Sequence, residues 1–242
     1  MKNINEIAFI IQSRKGSVRV KNKMLKPFNG SCLFEIAIQK ILKSKIIPKE
    51  NFYVSVLDDE FKAIANKHNI NIFHRSPEST VEPVELPTVF GWHKKGALNK
   101  PYKYWVKING CNPLLSIDTI DRFVESFVNT DSNGMFGVFE KKTFLFDNEG
   151  LMLNKFFGED KYLATLETKY VETCYEAAHS LYAGKMEDIG KEIYMGTFKE
   201  PQNPEFFIMD EIECFDIDWP FQFDIAKTMY KQRKDLIWKQ KP

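Results

Sequence analysis

The run Ile7-Ala8-Phe9-Ile10-Ile11 constrains this chain more than any other stretch. It is apolar, rich in β-branched residues and short, so it reads as a buried strand. After Gln12-Ser13 it gives way to a loop carrying Gly16, the small hydroxyl of Ser17, and the cations Arg14, Lys15, Arg19, Lys21 and Lys23. Backbone N–H groups near Gly16 and Ser17 can approach an anion closely, and the cationic heads neutralise its charge. Arg14 and Arg19 suit bidentate phosphate contact, while Lys23 acts as a mobile point charge. Neither G-x-x-x-x-G-K-[ST] nor G-x-G-x-x-G is present, which excludes a P-loop or dinucleotide fingerprint here. On charge alone, a solvated basic loop after the first strand fits the same residues.

The strand–loop–helix pattern then repeats. Periodicity predicts a helix over residues 32–44 capped by Ser31, a strand over 52–57, and a helix after Asp58-Asp59-Glu60. A short strand over 70–73 closes on His74-Arg75, residues 78–87 read as a loop, and 88–98 as a helix. Residues 102–108 form an aromatic, β-branched strand, Ser116 opens another helix, and 135–139 form a further strand. From 141 to 173 the pattern loosens into an inserted, β-rich excursion, and 174–182 bring the chain back. A strand over 205–209 and a final amphipathic helix to about residue 238 complete one undivided domain. The expected fold is α/β and Rossmann-like: a mostly parallel sheet with helices on both faces and a small inserted lobe. In such sheets ligands bind beyond the carboxyl ends of the strands, where the basic loop, Asp58 and Arg75 would all lie.

Two later segments bear chemistry. Asn109-Gly110-Cys111-Asn112-Pro113 follows a strand, and its two amides can read a base edge or sugar hydroxyls. A polar turn between strand and helix accounts for the same residues. Asp216-Ile217-Asp218 places two carboxylates at i and i+2, on one face if the segment is a strand, so both can reach one Mg²⁺. An acidic pair before a helix would equally serve its N-terminal dipole. Asp58 can cap the helix that follows it, and His179 is compatible with a purely structural role.

Thirty-four Lys and Arg against 33 Asp and Glu leave a net charge of +1, which argues against a nucleic-acid binder. Cys32, Cys111, Cys174 and Cys214 form no C-x-x-C pair, so neither a zinc site nor a disulfide scaffold is expected. They fit a reducing cytoplasm. The first apolar run is too short for a signal peptide, and no segment is long enough to insert in a membrane.

The segment from Ile10 to Lys23 resembles the N-terminal signature of the cytidylyltransferase superfamily. Its spore-coat polysaccharide branch reads I-I-Q-A-R-x-G-S-T-R-x-x-x-K, matched by Ile10, Ile11, Gln12, Arg14, Gly16, Ser17, Arg19 and Lys23, with Ser13 in place of Ala. The acylneuraminate branch has Lys where this chain has Val18, and the deoxyoctulosonate branch shares Arg14, Ser17, Arg19 and Lys23. Residues 109–115 are similar to the central motifs R-I-T-G-D-C-P-L-I and V-Q-G-D-E-P-L, with Cys111 replacing the acid. Asp216-Ile217-Asp218 matches the metal-binding D-I-D of the acylneuraminate branch.

The resemblance implies transfer of CMP from CTP to an acidic sugar or related acid, with Mg²⁺ as cofactor and pyrophosphate released. Arg14, Gly16, Ser17, Arg19, Lys23, Asn109 and Asn112 would bind nucleotide, and Asp216 and Asp218 the metal. Arg14, Lys23, Asp216 and Asp218 would form the catalytic set, with Arg75 and His179 facing the acceptor. It also implies a homodimer built on a lobe at about 141–182, serving surface polysaccharide or glycoconjugate synthesis. Two other readings stay open: a D-x-D nucleotide-sugar glycosyltransferase, and a lapsed homologue that binds nucleotide without turnover, which Val18 and Cys111 keep in play.

Overall fold

The computed structural model describes residues 1–81, 84–191 and 194–239. Glu82 and Pro83, in the loop expected over 78–87, lie outside the described residues. In chain order the strands are β1 (Ile7–Gln12), β2 (Pro27–Phe28), β3 (Ser31–Cys32), β4 (Phe52–Val56), β5 (Asn71–His74), β6 (Tyr104–Ile108), β7 (Met135–Lys141), β8 (Cys174–Lys185) and β9 (Glu205–Ile208). The helices are α1 (Leu33–Lys43), α2 (Asp59–Lys67), α3 (Leu86–Val89), α4 (Ile117–Asn129), α5 (Asp160–Ala164), α6 (Pro220–Gln232) and α7 (Lys234–Ile237). Seven strands form one sheet in the order β5-β4-β1-β6-β8-β7-β9, and β2 and β3 make a separate hairpin. β5, β4, β1 and β6 are mutually parallel, β8 is antiparallel to both β6 and β7, and β9 is parallel to β7. Every strand of the sheet except β8 therefore ends at the same edge, and that edge carries the site.

β1 is buried from Ile7 to Ile11, as its apolar run requires, with Phe9 paired to Phe52 on one side and to Val106 on the other. Ile7, Phe9 and Ile11 face a core built with α1, α2, α4 and α6, whereas Ala8 and Ile10 face a second, aromatic layer. The long helices thus all contribute to one face. The other is covered by α3, a 3-10 turn at Gly91–His93 and loops that stack Phe90 on Trp92 at 5.1 Å and set Trp92 against Trp105 at 6.0 Å. The helix expected over 88–98 does not form. Helical structure breaks after Val89, and Gly96 adopts φ +80°, a left-handed conformation that favours glycine and ends helices.

Other expectations shift in detail. Ser31 belongs to the β2–β3 hairpin; Cys32 takes the cap position of α1 and Ser31 donates instead to Glu35 at 2.7 Å. The last helix is interrupted at Arg233, giving α6 and α7. Residues 142–173 leave the sheet as expected, but they hold only two isolated bridges, Phe146 to Met152 and Phe156 to Val171, with α5 and a 3-10 turn. Residues 174–182, expected at the lobe's end, are part of β8 in the main sheet. Among the described residues no helix is long and apolar enough to cross a membrane.

Candidate active site

The loop after β1 folds back on itself and lines a pocket of about 250 Å³ with Arg14, Gly16, Ser17, Val18, Arg19, Val20 and Lys23. Two contacts fix its base: Ser13 N–H donates to the carbonyl of Ser55, and Lys15 N–H to Asp58 Oδ2 at 3.3 Å. Asp58 therefore ties the loop to β4 and makes no side-chain cap on α2.

Asp218 completes the pocket wall. It arrives there because β9 ends at the carboxyl edge. From there the chain passes through a 3-10 turn (Glu211–Cys214) and runs extended along the edge toward β1, where Ile217 N–H donates to the carbonyl of Cys111 at 3.3 Å. Asp216 and Asp218 do not sit on a strand, contrary to expectation. This stretch bonds to the turn after β6 instead of joining the sheet. Gln222 on α6 accepts from the backbone N–H groups of Asp218 and Trp219, both at 2.7 Å, which fixes the segment just before the helix.

Three charges meet at Asp218. Its Oδ1 lies 3.0 Å from Arg19 and 3.2 Å from Lys23, and Lys23 also donates to the carbonyl of Ile217. Arg19 in turn lies over the Trp219 ring at 5.4 Å. Burial opposes the Lys23 charge, but Cys111, Asp216 and Asp218 outweigh it and the net shift is upward, so the ammonium stays charged. Asp216 lies deeper. Burial and the neighbouring Asp218 push its carboxyl up on balance, against the pull of Lys23 and His179, and its buried Oδ1 has no hydrogen-bond partner among the described residues.

That orphaned oxygen is the observation that bears on a metal. A buried acceptor with no donor is costly, and a cation shared with Asp218 would satisfy it. Among the described residues no three His, Cys, Asp or Glu side chains cluster as a self-sufficient metal site. Two carboxylates completed by phosphate oxygens is the usual way Mg²⁺ is held, so the residues fit.

The remaining expected site residues are placed differently. Asn112 is buried and donates to the carbonyl of Cys214 at 3.3 Å, and Asn109 donates to that of His179 at 2.8 Å while accepting from Cys111 N–H. Both amides brace the turn and neither lines the pocket. Arg75 is buried too, with Nε 3.1 Å from Ser79 Oγ and the guanidinium also on the carbonyls of Ser79 and Ser13. Burial and the neighbouring Arg14 pull it down to about 10. It braces the loop edge, with its donors on Ser79 and the Ser13 carbonyl.

His179 does reach the edge. β8 bulges between its pairings with Val138 and Phe136, and His179 adopts φ +50° there, exposed, with Nδ1 3.2 Å from Tyr182 Oη. Gly137 allows the bulge, because a Cβ there would stand 2.9 Å from Met209 Sδ and 3.3 Å from the carbonyl of Leu181.

Sequence reasoning missed Lys107. It pairs across the sheet with Ile10 and Tyr182, and its ammonium lies 4.3 Å from the Tyr182 ring centroid and 5.7 Å from that of Phe90. Burial draws it down to about 8, against the pull of Cys111 and Asp216, and no carboxylate pairs with it among the described residues. The signal was available: one cation in an otherwise apolar strand, Tyr-Trp-Val-Lys-Ile.

Comparison with known proteins follows the same lines. Residues 8–241 match the family model described as Cytidylyltransferase. An uncharacterized protein of Methanocaldococcus jannaschii is 30% identical over 122 residues, 50% of this chain and 46% of the relative. The spore coat polysaccharide biosynthesis protein SpsF of Bacillus subtilis is 24% identical over 136 residues, 54% of this chain and 53% of its own. The chain thus spans about half the length of the curated relatives it matches. Among solved structures, a CMP:2-keto-3-deoxy-manno-octonic acid synthetase complexed with CTP superposes with a TM-score of 0.62 at 10% identity, covering 94% of this chain and 99% of its own. The 4-diphosphocytidyl-2C-methyl-D-erythritol synthase of Anaerococcus prevotii gives 0.63 at 13% identity, covering 94% and 98%. At such identities these two share the fold.

Proposed function

Because the chain belongs to the cytidylyltransferase family, we propose that it transfers CMP from CTP to an acidic sugar or related acid and releases pyrophosphate. The observation that carries this reading is the pocket beside β1, lined by Arg14, Arg19 and Lys23, where the last two meet the Asp218 carboxylate at the sheet's carboxyl edge. Those three cations would hold the triphosphate, with the Gly16–Ser17 backbone beneath it. An acceptor oxygen forms a bond to the α-phosphorus and the bond to the β-phosphate oxygen breaks. Pyrophosphate leaves with that electron pair, and the acceptor's proton passes to solvent. Lys23 and Arg19 stabilise charge on the phosphoryl and leaving oxygens. Asp216 and Asp218 would hold Mg²⁺, which supplies further neutralisation of that charge when bound.

An acidic acceptor is supported by Lys107, an ammonium among aromatic rings, with His179 and Tyr182 Oη beside it. A role in surface polysaccharide synthesis draws on the name of the Bacillus subtilis relative. Residues 142–173 expose Phe146, Leu151, Leu153 and Phe157, apolar surface suited to a second copy of the chain in a homodimer. The free cysteines suit a reducing cytoplasm.

The test is to incubate purified protein with Mg²⁺, each nucleoside triphosphate and a panel of sugar acids while measuring pyrophosphate. Pyrophosphate released only with CTP and an acidic acceptor is the expected result. CTP binding without release across the panel would favour the lapsed homologue. No binding of any triphosphate would overturn the nucleotidyl-transfer reading.

A further inference from the structure

Lys40 lies in the last turn of α1, 3% exposed, among the apolar residues Ile36, Ala37 and Ile41, and it does not line the pocket. Its Nζ donates to the carbonyl of Pro113 at 2.6 Å and lies 3.5 Å from that of Asn112. Among the described residues it has no ion-pair partner. Glu213, the acid it senses electrostatically, keeps a buried Oε2 without a hydrogen-bond partner. Burial draws the Lys40 amine down to about 7, so holding it charged here is costly, and an apolar side chain of similar volume would avoid the cost. Packing alone would favour methionine over this lysine.

What it holds is the turn at 109–113, which touches both halves of the candidate site. On one side, Gly110 packs so closely that a Cβ there would stand 2.6 Å from Met24 Cε, and Cys111 Sγ lies 3.5 Å from Met24 Sδ. Met24 follows Lys23 directly, and its carbonyl accepts from Phe34 N–H at the start of α1. On the other side, Cys111 O accepts from Ile217 N–H and Asn112 Nδ2 donates to Cys214 O, each at 3.3 Å, on either side of Asp216. No pairing in the sheet itself sets the distance between the cationic loop and the acidic stretch. Beside the direct contacts of Arg19 and Lys23 with 217–218, the turn braces both from beneath, and the Lys40 amine bonds two of its carbonyls.

We infer that Lys40 is a positioning residue: by fixing the 109–113 turn it sets Asp216 and Asp218 where they would hold a divalent cation for a bound triphosphate. This rests on the CTP reading above.

The test is calorimetric binding of CTP to the wild type and to Lys40→Met, each in EDTA and in Mg²⁺. The wild type should bind more tightly with Mg²⁺. Lys40→Met should fold with an unchanged or higher Tm and bind CTP in EDTA as the wild type does. It should lose about tenfold of the Mg²⁺-dependent gain, the scale on which residues that orient metal ligands act. A folded Lys40→Met that keeps the full gain overturns the inference, as does a wild type that binds CTP equally in both buffers. Should Lys40→Met not fold, Lys40→Leu, which likewise has no donor, takes its place. Failure of both to fold also overturns it, because Lys40 would then serve the fold. A wild type that binds no CTP in either buffer instead defeats the CTP reading on which the inference stands.

Discussion

Asp218 pairs with Arg19 and Lys23, two of the three cations that would hold a triphosphate. The pocket is therefore partly self-neutralised, and an incoming anion must displace the carboxylate. Asp218→Asn should bind pyrophosphate in EDTA about two- to fivefold more tightly than the wild type, the scale of partly exposed ion pairs. It should gain little when Mg²⁺ is added; calorimetry in the two buffers checks both. Lys23→Ala should lower turnover about 100- to 1000-fold, the usual effect of deleting one charge-stabilising group, with its circular dichroism unchanged. Turnover near the wild-type rate would remove Lys23 from the mechanism. The cationic loop was legible because its chemistry is local: Arg14, Gly16, Ser17, Arg19 and Lys23 follow one strand and share one pocket. The bracing contacts of Asn109, Asn112 and Arg75 were not legible, because a side chain's direction depends on distant partners. The amides answer to carbonyls 70 and 102 residues away, and Arg75 to one 62 residues back.

At the scale of elements, α1 and α2 are joined through Glu35. Its carboxylate accepts from Ser31 Oγ at 2.7 Å, Lys67 at 2.8 Å and His68 Nε2 at 2.9 Å. Lys67, Ser31 and His68 together hold it down to about 2 from an ordinary 4.5. Because the unfolded chain binds that proton more readily, the tie stabilises fully above pH 4.5 and is lost as pH falls through about 2. Urea midpoints measured between those limits should fall more steeply for the wild type than for Glu35→Gln; parallel slopes would refute the tie. Element types were largely legible from periodicity, since β1, β4, β6 and α4 are long, apolar and cleanly bounded. The failures came where pattern and backbone disagree. The helix expected over 88–98 meets Gly91 and Gly96, and the acidic stretch finds its partner in a turn, a choice that alternation of residue types does not reveal.

For the whole molecule, Lys141 and Cys174 are cross-strand partners, so the 142–173 segment leaves and re-enters the sheet at one point. Replacing that segment with Asn-Gly, a dipeptide suited to a two-residue hairpin, should leave the sheet closed and CTP binding intact. The shortened chain should sediment as a monomer and lose acceptor-dependent pyrophosphate release. Loss of CTP binding would mean that the segment supports the nucleotide pocket itself.

The Lys23–Asp218 contact joins residues 195 positions apart. On a ribosome adding about 5–20 residues per second, the cationic loop emerges roughly 10–40 s before its acidic counterpart. Through that interval Arg19 and Lys23 lack the carboxylate they meet in the folded chain and can attract any polyanion, but the chain cannot yet grip a metal–nucleotide complex. Magnesium-dependent retention on immobilised nucleotide would therefore separate finished molecules from stalled or truncated ones.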